Sequence, residues 1–365
     1  MWKPYAPSPN SWPPLTDTLA RPGAPAAERP ARPPRSRAWL VGAALAVGLL
    51  AAGLWALTVG PAGLGVKEAW LALASPGSGS LTPLQEAIVR DLRLPRVLTA
   101  AAVGAGLALS GAVIQALTRN PLADPYLLGL SSGASLGAVT VLLLGAAVVL
   151  PVAAFAGAMV AMAATLALAG ALGCITPTRT VLAGLAVSSL AAAAASFVVF
   201  WTAQGDSYRE VLGWLMGSLA GATWSSTAIA LPALAAVGIP LMFCGRVLDA
   251  FSFGDTAASA LGVPVPGVRW TLLGATALLT GAMVSVSGSI GFVGLVLPHA
   301  VRMLAGASNR SLLPLSALAG ALFLVLADTA ARTVFDPREI PVGIVTALIG
   351  APFFILLLLR RRSGA

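Results

Sequence analysis

The chain has 365 residues, of which 58% are hydrophobic and only 10% are charged. Soluble domains carry roughly a quarter charged residues, so this composition excludes a soluble fold and predicts an all-α polytopic membrane protein, whose helices satisfy their own backbone groups in lipid. The net charge of +9 would suggest nucleic-acid binding in a soluble protein, but here we assign it to the loops between spans and predict no nucleic-acid partner.

The first part of the chain differs from everything that follows. Residues 1–37 combine proline and arginine with few apolar side chains, a composition that cannot bury a core. We predict a disordered cytoplasmic tail for residues 1–37 and a single transmembrane domain for residues 38–365.

The apolar runs after the tail, at about 20 residues per span, predict about ten transmembrane helices. We place them near 38–60, 94–117, 126–147, 150–172, 180–203, 226–245, 269–288, 290–305, 312–332 and 342–360. Two connections are too long for plain turns. Residues 204–225 predict a short re-entrant or interfacial helix, and residues 246–268 form the longest polar interruption.

The positions of lysine and arginine predict the orientation. With ten spans and a cytoplasmic N-terminus, fifteen of the 22 basic residues lie inside, as the positive-inside rule expects. Both termini are then cytoplasmic, and several arginines at helix ends face outward.

Small residues at one-turn spacing predict close helix packing in lipid. Gly129, Gly133 and Gly137 form one such series, and Gly217 with Gly221 forms another.

Ionisable residues at span centres would indicate an ion or proton relay, and the predicted spans have essentially none. Asp328 lies one helical turn before Arg332, a spacing that favours an ion pair between them near the helix end. The single histidine, His299, is interpreted as a packed, hydrogen-bonded side chain. An ion-coupled secondary transporter, the alternative function, is therefore disfavoured.

The sequence also has no energy source of its own. The P-loop lysine follows a glycine, whereas the two lysines here, Lys3 and Lys67, do not. Cys174 and Cys244 are far apart in apolar sequence and predict inert thiols, so neither a metal site nor an enzyme is expected.

Several runs resemble one known family. They are Arg93-Leu-Pro-Arg96, Val103–Gly111, Arg119–Pro125, Leu128–Ala134, Ile290–Arg302, Leu326–Arg332 and Glu339–Phe354. In this order, across residues 39–361, the chain resembles the permease family of iron–siderophore, haem and vitamin B12 ABC importers. The alternative of an integral-membrane enzyme would need clustered catalytic residues, which are lacking.

The resemblance implies partners and a location. It implies a multi-pass permease in the bacterial cytoplasmic (inner) membrane, working as a dimer with itself or with a paralogous permease. Two cytoplasmic ATPase subunits would bind ATP and Mg²⁺, so the permease would hold no cofactor directly. An extracytoplasmic binding protein would deliver the cargo, for which an iron–siderophore complex is the first candidate.

The resemblance also implies three sets of site residues. Arg93, Arg96 and Arg332 would dock glutamates of the binding protein, since arginine binds carboxylate through two parallel hydrogen bonds. Residues 246–268 would form the coupling loop that contacts the ATPase, and Asn120-Pro-Leu122 with Thr176-Pro-Thr178 would form a cytoplasmic gate. The coupling contacts are expected at Asp255, Ala258, Leu261 and Gly262, and the gate at Asn120, Leu122, Pro177 and Thr178. Pro177 departs from the small hydroxyl residue expected at its position.

Overall fold

The computed structural model describes residues 35–60, 63–75, 81–145, 149–171, 176–202, 204–205, 207–335 and 338–362. The predicted tail therefore lies almost wholly outside the described residues. Within the described ranges the regular structure is helical, with no strand. This confirms the predicted all-α class.

In the first half of the chain, the described residues form eight α-helices. They are α1 (Arg35–Thr58), α2 (Val66–Ala74), α3 (Pro83–Ala87), α4 (Leu94–Thr118), α5 (Leu130–Leu144), α6 (Leu150–Ala171), α7 (Pro177–Thr202) and α8 (Ser207–Leu215). A π-helical segment, Ile88–Arg93, joins α3 to α4, and a 3₁₀ turn, Pro125–Leu128, precedes α5.

Eight more α-helices occur among the residues that are described in the second half. They are α9 (Trp224–Ala233), α10 (Ile239–Phe243), α11 (Gly245–Phe251), α12 (Asp255–Ala260), α13 (Val265–Ser287), α14 (Val293–Ala305), α15 (Asn309–Ala331) and α16 (Val342–Arg362). Pro232 lies inside α9 and a π-helical segment, Leu234–Gly238, links α9 to α10, as expected where proline removes a backbone donor.

The ten predicted spans all coincide with helices. In the described residues, seven helical segments are long and apolar enough to cross a membrane, and α5, α14 and α16 contribute shorter apolar helices. The predicted short helix in 204–225 is α8. The sequence did not predict α2, because its nine residues, which include Lys67 and Glu68, are too few for a span.

One predicted boundary differs from the structure for a local reason. The span placed at 290–305 begins only at Val293, since Gly288 and Phe292 both have positive φ, 67° and 68°. A helix cannot pass through these backbone conformations, so residues 288–292 form an irregular connection.

Close backbone contacts hold the bundle together. A Cβ atom on Gly104 of α4 would lie 2.2 Å from the Gly320 carbonyl oxygen of α15, and one on Gly133 of α5 would lie 2.4 Å from that of Gly157 in α6. Packing through Gly133 is thus confirmed. The second predicted series was wrong: Gly217 and Gly221 lie in the turn after α8, where Gly217 has φ +74° and Gly221 faces open space.

Candidate functional sites at the two ends of the bundle

A cluster of charged side chains joins the end of α1, the start of α4 and the end of α15. We call Arg93, Arg96, Asp328, Arg332 and Glu339 the arginine cluster. Arg96 Nε donates to Asp328 Oδ2 and Arg96 Nη2 donates to Asp328 Oδ1, each at 2.9 Å. Its Nη1 donates to Glu339 Oε2, also at 2.9 Å. All three nitrogens of this guanidinium are therefore engaged within the chain.

The other two arginines of the cluster hold the end of α1. Arg93 Nη1 donates to the Leu57 carbonyl oxygen at 2.7 Å, and Arg332 Nη2 donates to the Ala56 carbonyl oxygen. The last carbonyls of a helix have no partner within it and carry partial negative charge. Two arginines, one at the end of the π-helical segment before α4 and one just after α15, thus cap α1.

The predicted ion pair between Asp328 and Arg332 was wrong. Both carboxylate oxygens of Asp328 accept hydrogen bonds from Arg96, whereas the Arg332 guanidinium donates to a carbonyl at the end of α1. Spacing along one helix favoured Arg332, but a neighbouring helix supplies a guanidinium that makes two parallel hydrogen bonds.

Burial differs across the arginine cluster. Arg93 and Arg332 are buried, and the Asp328 side chain is 3% exposed, whereas that of Glu339 is 46% exposed. Glu339 was not predicted as a site residue, although it opens one of the family-like runs. It is the accessible carboxylate on Arg96, and Arg90 is an exposed cation near the start of α4.

The predicted coupling loop folds into two short helices. We call residues 245–262, which comprise α11, α12 and the turns after them, the short-helix segment. Of the predicted contact residues, Ala258 is fully buried and its methyl group packs inside the chain. Leu261 and Gly262 are exposed. Phe253, missed by sequence reasoning, is 78% exposed, whereas Phe251 is 1% exposed. Two phenylalanines two residues apart at a helix end were the available signal.

Asp255, the first residue of α12, is bound from within the chain. Its Oδ1 accepts a hydrogen bond of 2.7 Å from Nη2 of Arg269, in α13. That hydrogen bond, with the charges of Arg269 and Arg119, holds the pKa of Asp255 below its ordinary value against the opposing effect of burial. The Arg269 guanidinium also lies 5.4 Å from the centre of the Phe251 ring.

The other helix of the short-helix segment is tied to α15. Asp249 in α11 accepts from the backbone N–H of Asn309 at 2.8 Å and from the hydroxyl of Ser308 at 3.2 Å. A carboxylate at the first N–H groups of a helix satisfies unpaired donors and favours the helix dipole. Asp249 therefore caps α15 from a different helix.

The predicted gate residues lie at this same end, with Asn120 and Leu122 in the turn after α4 and Pro177 and Thr178 at the start of α7. The Asn120 side chain accepts from the Leu122 backbone N–H at 3.0 Å, and Asn120, Leu122 and Thr178 are exposed. The Pro177 side chain lies outside the described residues. A small apolar crevice lies next to the gate residues, between the end of α4 and the start of α7. It is lined by Ile114, Leu117, Thr118, Leu127, Leu128, Thr180, Val181, Arg269 and Leu273.

A buried glutamine links α4 to α14 near the gate turns. Pro298 has no N–H to give to the Gly294 carbonyl four residues earlier. Gln115 of α4 donates to this carbonyl at 3.3 Å and to the Leu295 carbonyl at 3.1 Å, while its own oxygen accepts from Arg302 at 3.2 Å. Gln115 thus replaces the donor that the proline removes.

Charges in the spanning helices are confined to their ends. Within the described ranges, every Asp, Glu, Lys and Arg of α1, α4 to α7, α9, α10 and α13 to α16 lies within five residues of a helix end. No group of three or more His, Cys, Asp or Glu that could hold a metal ion occurs among the residues described. The charged side chains of these helices are therefore concentrated at the two ends of the bundle.

Apolar helices with charges only at their ends and a short-helix segment outside them define an integral membrane permease. The FecCD transport family matches residues 48–360 of the chain. The protein belongs to this family and is a permease subunit of an ABC importer.

Named relatives cover most of the chain. The cobalamin import system permease protein BtuC of Halobacterium salinarum is 45% identical over 81% of this chain and 79% of its own length. The Fe(3+) dicitrate transport system permease protein FecD of Escherichia coli K12 is 44% identical over 75% of this chain and 86% of its own. A solved structure described as an inward-facing metal-chelate type ABC transporter superposes with a TM-score of 0.77, at 33% identity, over 88% of this chain and 99% of that one.

Proposed function

We propose that the protein is the permease of an ATP-driven importer for a metal chelate, paired with a second copy of itself or with a paralogous permease. The observation that carries the proposal is the confinement of charge to the span ends. No charged relay in the described spans connects the two membrane faces, so the driving force has to enter through partners. A ferric siderophore is our first candidate cargo.

The named relatives support this cargo class. One relative is named for cobalamin and another for ferric dicitrate, and both compounds are metal ions wrapped in an organic ligand. Haem shares this chemistry. Ferric siderophore, haem and cobalamin are therefore the three cargoes to compare.

We assign docking of an extracytoplasmic binding protein to the arginine cluster. Arg93, Arg96 and Arg332 concentrate positive charge at one end of the bundle, and a guanidinium group binds carboxylate in a bidentate manner. Arg93 and Arg332 are buried on the α1 carbonyls, so they would support docking through their charge and Arg96 through direct contact. The chain's own Glu339 already sits on Arg96, and its side chain is half exposed. A carboxylate from the binding protein would replace Glu339 there, with both termini of the permease on the opposite, cytoplasmic side.

We assign contact with the ATPase to the short-helix segment. Its exposed apolar side chains, Phe253 and Leu261, are the kind that fill pockets at the centre of protein interfaces. Asp255 and Gly262 lie beside them, and ATP with Mg²⁺ would be held by the ATPase. The gate turns with Asn120, Leu122, Pro177 and Thr178 would narrow the pathway between the two permeases.

Reconstitution tests this function. The chain is placed in proteoliposomes with its ATPase and binding protein, and uptake of labelled ferric siderophore, haem and cobalamin is measured with Mg-ATP inside. We expect uptake of one of these cargoes that requires all three components and survives ionophores. Uptake without the ATPase, or uptake that follows an ion gradient, would instead establish the secondary transporter.

A further inference from the structure

The turn between α11 and α12 is gripped on both sides by one side chain. Residues 252–254 connect the end of α11 to the start of α12, and Gly254 has φ +98°. On the α11 side, the Arg269 guanidinium lies over the Phe251 ring at 5.4 Å. On the α12 side, the same guanidinium donates to Asp255 at 2.7 Å.

This grip attaches the turn to a membrane span. Arg269 is the fifth residue of α13 and is buried, and Phe251 is almost fully buried in the core. A second arginine, Arg119 at the end of α4, places Nη1 3.2 Å from where a Cβ atom of Gly254 would be. The Gly254 end of the turn therefore lies between the start of α13 and the end of α4, while Phe253 stays exposed.

A partly buried ion pair is a poor way to gain stability, since desolvation offsets most of its attraction. It is a good way to fix geometry, because a planar guanidinium that stacks on a ring and donates to a carboxylate has one orientation. The carboxylate is also ionised at neutral pH, since the pKa of Asp255 is held below its ordinary value mainly by that hydrogen bond.

We propose that Arg269 is a positioning residue that ties α12 to the start of α13, so that a displacement of the short-helix segment moves this span. The link would carry ATP-driven motion from α12 to the gate turns, because Arg269 also lines the crevice between α4 and α7. This inference rests on the proposed coupling of the short-helix segment to the ATPase.

The experiment uses the complete transporter in proteoliposomes and measures ATP hydrolysis and cargo uptake in parallel. The variants are Arg269→Gln, Asp255→Asn, Phe251→Leu and the double variant of the first two. Asp255→Asn matters most for interpretation, since its partly exposed side chain can lose its charge without a cavity. Arg310→Gln, which changes an exposed arginine at the same end of the bundle, is the matched control.

We expect Arg269→Gln and Asp255→Asn each to lower uptake per ATP hydrolysed at least fivefold, with complex assembly and ATP hydrolysis retained. The double variant should be no worse than either single variant, because both remove one contact. Arg269→Lys, which keeps the charge but loses the planar fork, should recover part of the coupling.

Two outcomes overturn the link. One is a ratio of uptake to hydrolysis in Asp255→Asn equal to that of the control. The other is a loss of both activities in proportion to the amount of assembled complex, which indicates a purely structural role. If the unsubstituted transporter itself takes up none of the three cargoes with ATP, the proposed function fails instead.

Discussion

The arginine cluster and the short-helix segment both contain an arginine–aspartate ion pair, but the pairs join different parts of the molecule. In the arginine cluster, ion pairs and carbonyl contacts join the termini of three spanning helices to each other. In the short-helix segment, an ion pair joins a spanning helix to a segment outside the spans. The first arrangement ties three helix ends to each other, and the second ties the short-helix segment, which is the proposed ATPase contact, to α13.

The two regions lie at opposite ends of α4. This helix begins beside the arginine cluster and ends beside Gly254. Its 25 residues cover about 37 Å at 1.5 Å per residue, close to the thickness of a bilayer with its headgroups. Under the proposed function, the ATPase would move the short-helix segment at one end of α4 while the arginine cluster holds the other end.

The largest expected effect comes from breaking the arginine cluster. Asp328→Ala leaves Arg96 partly buried without its main partner, so the free energy of unfolding should fall by about 3 kcal/mol or more. Titration with a denaturing detergent in mixed micelles measures this change.

Glu339→Gln is the matched control for that measurement. It removes the half-exposed partner of the same guanidinium and should change stability by less than about 1 kcal/mol. Equal losses in the two variants would show that burial does not set the strength of these pairs.

A smaller effect on stability is expected from Gln115, which lies near the other end of α4. Gln115→Leu removes the donor that replaces the missing N–H of Pro298 and should cost about 1–2 kcal/mol of unfolding free energy. The same detergent titration applies, with the exposed Gln204→Leu as control. A neutral result for Gln115→Leu would mean that the Gly294 carbonyl finds another donor.

A functional effect of Glu339→Gln would sharpen the contrast. If the binding protein's carboxylate replaces Glu339 on Arg96, neutralising Glu339 should tighten docking by about threefold, or roughly 0.6 kcal/mol. Surface plasmon resonance with the permease in nanodiscs measures the affinity. Arg96→Gln should weaken it, and a parallel loss in both variants would argue against competition at this guanidinium.

The smallest expected effect is that of pH on coupling: the Asp255–Arg269 pair should make no pH-dependent contribution to uptake per ATP hydrolysed near neutral pH. The pKa of Asp255 is lowered in the folded protein, chiefly by the Arg269 hydrogen bond. Its stabilising contribution is therefore present above its unfolded pKa of about 3.9 and lost only as pH falls through the lower folded value.

Uptake per ATP hydrolysed should consequently be constant between about pH 5.5 and 8 with respect to this pair, with Asp255→Asn as the reference that cannot titrate. A fall in coupling between pH 7 and 5.5 that is absent in Asp255→Asn would contradict this expectation.

Apolar runs of about 20 residues were enough to predict ten apolar helical segments, seven of which are long enough to cross a membrane in the described residues. The positions of the arginines at helix ends were equally readable from the sequence. Their partners were not, since Arg96 and Asp328 lie 232 residues apart and only tertiary packing brings them together. Local spacing pointed to Arg332 instead, and it was misleading.

The short-helix segment was predicted through family resemblance, but its internal organisation was not. Nothing in the local sequence distinguishes the buried Phe251 from the exposed Phe253. Likewise, the positive φ of Phe292 opposes the preference of an aromatic residue, and the tight approach of its side chain to Gly350 depends on α16. Such positions are decided by neighbouring helices, not by the residues themselves.

The capping of α1 by Arg93 and Arg332 bears on the order of biogenesis. Ala56 and Arg332 are 276 residues apart, so α1 is synthesised long before the last donor to its terminal carbonyl groups. Arg93 supplies the first of the two donors just before α4 begins, and Arg332 supplies the second only after α15 is complete.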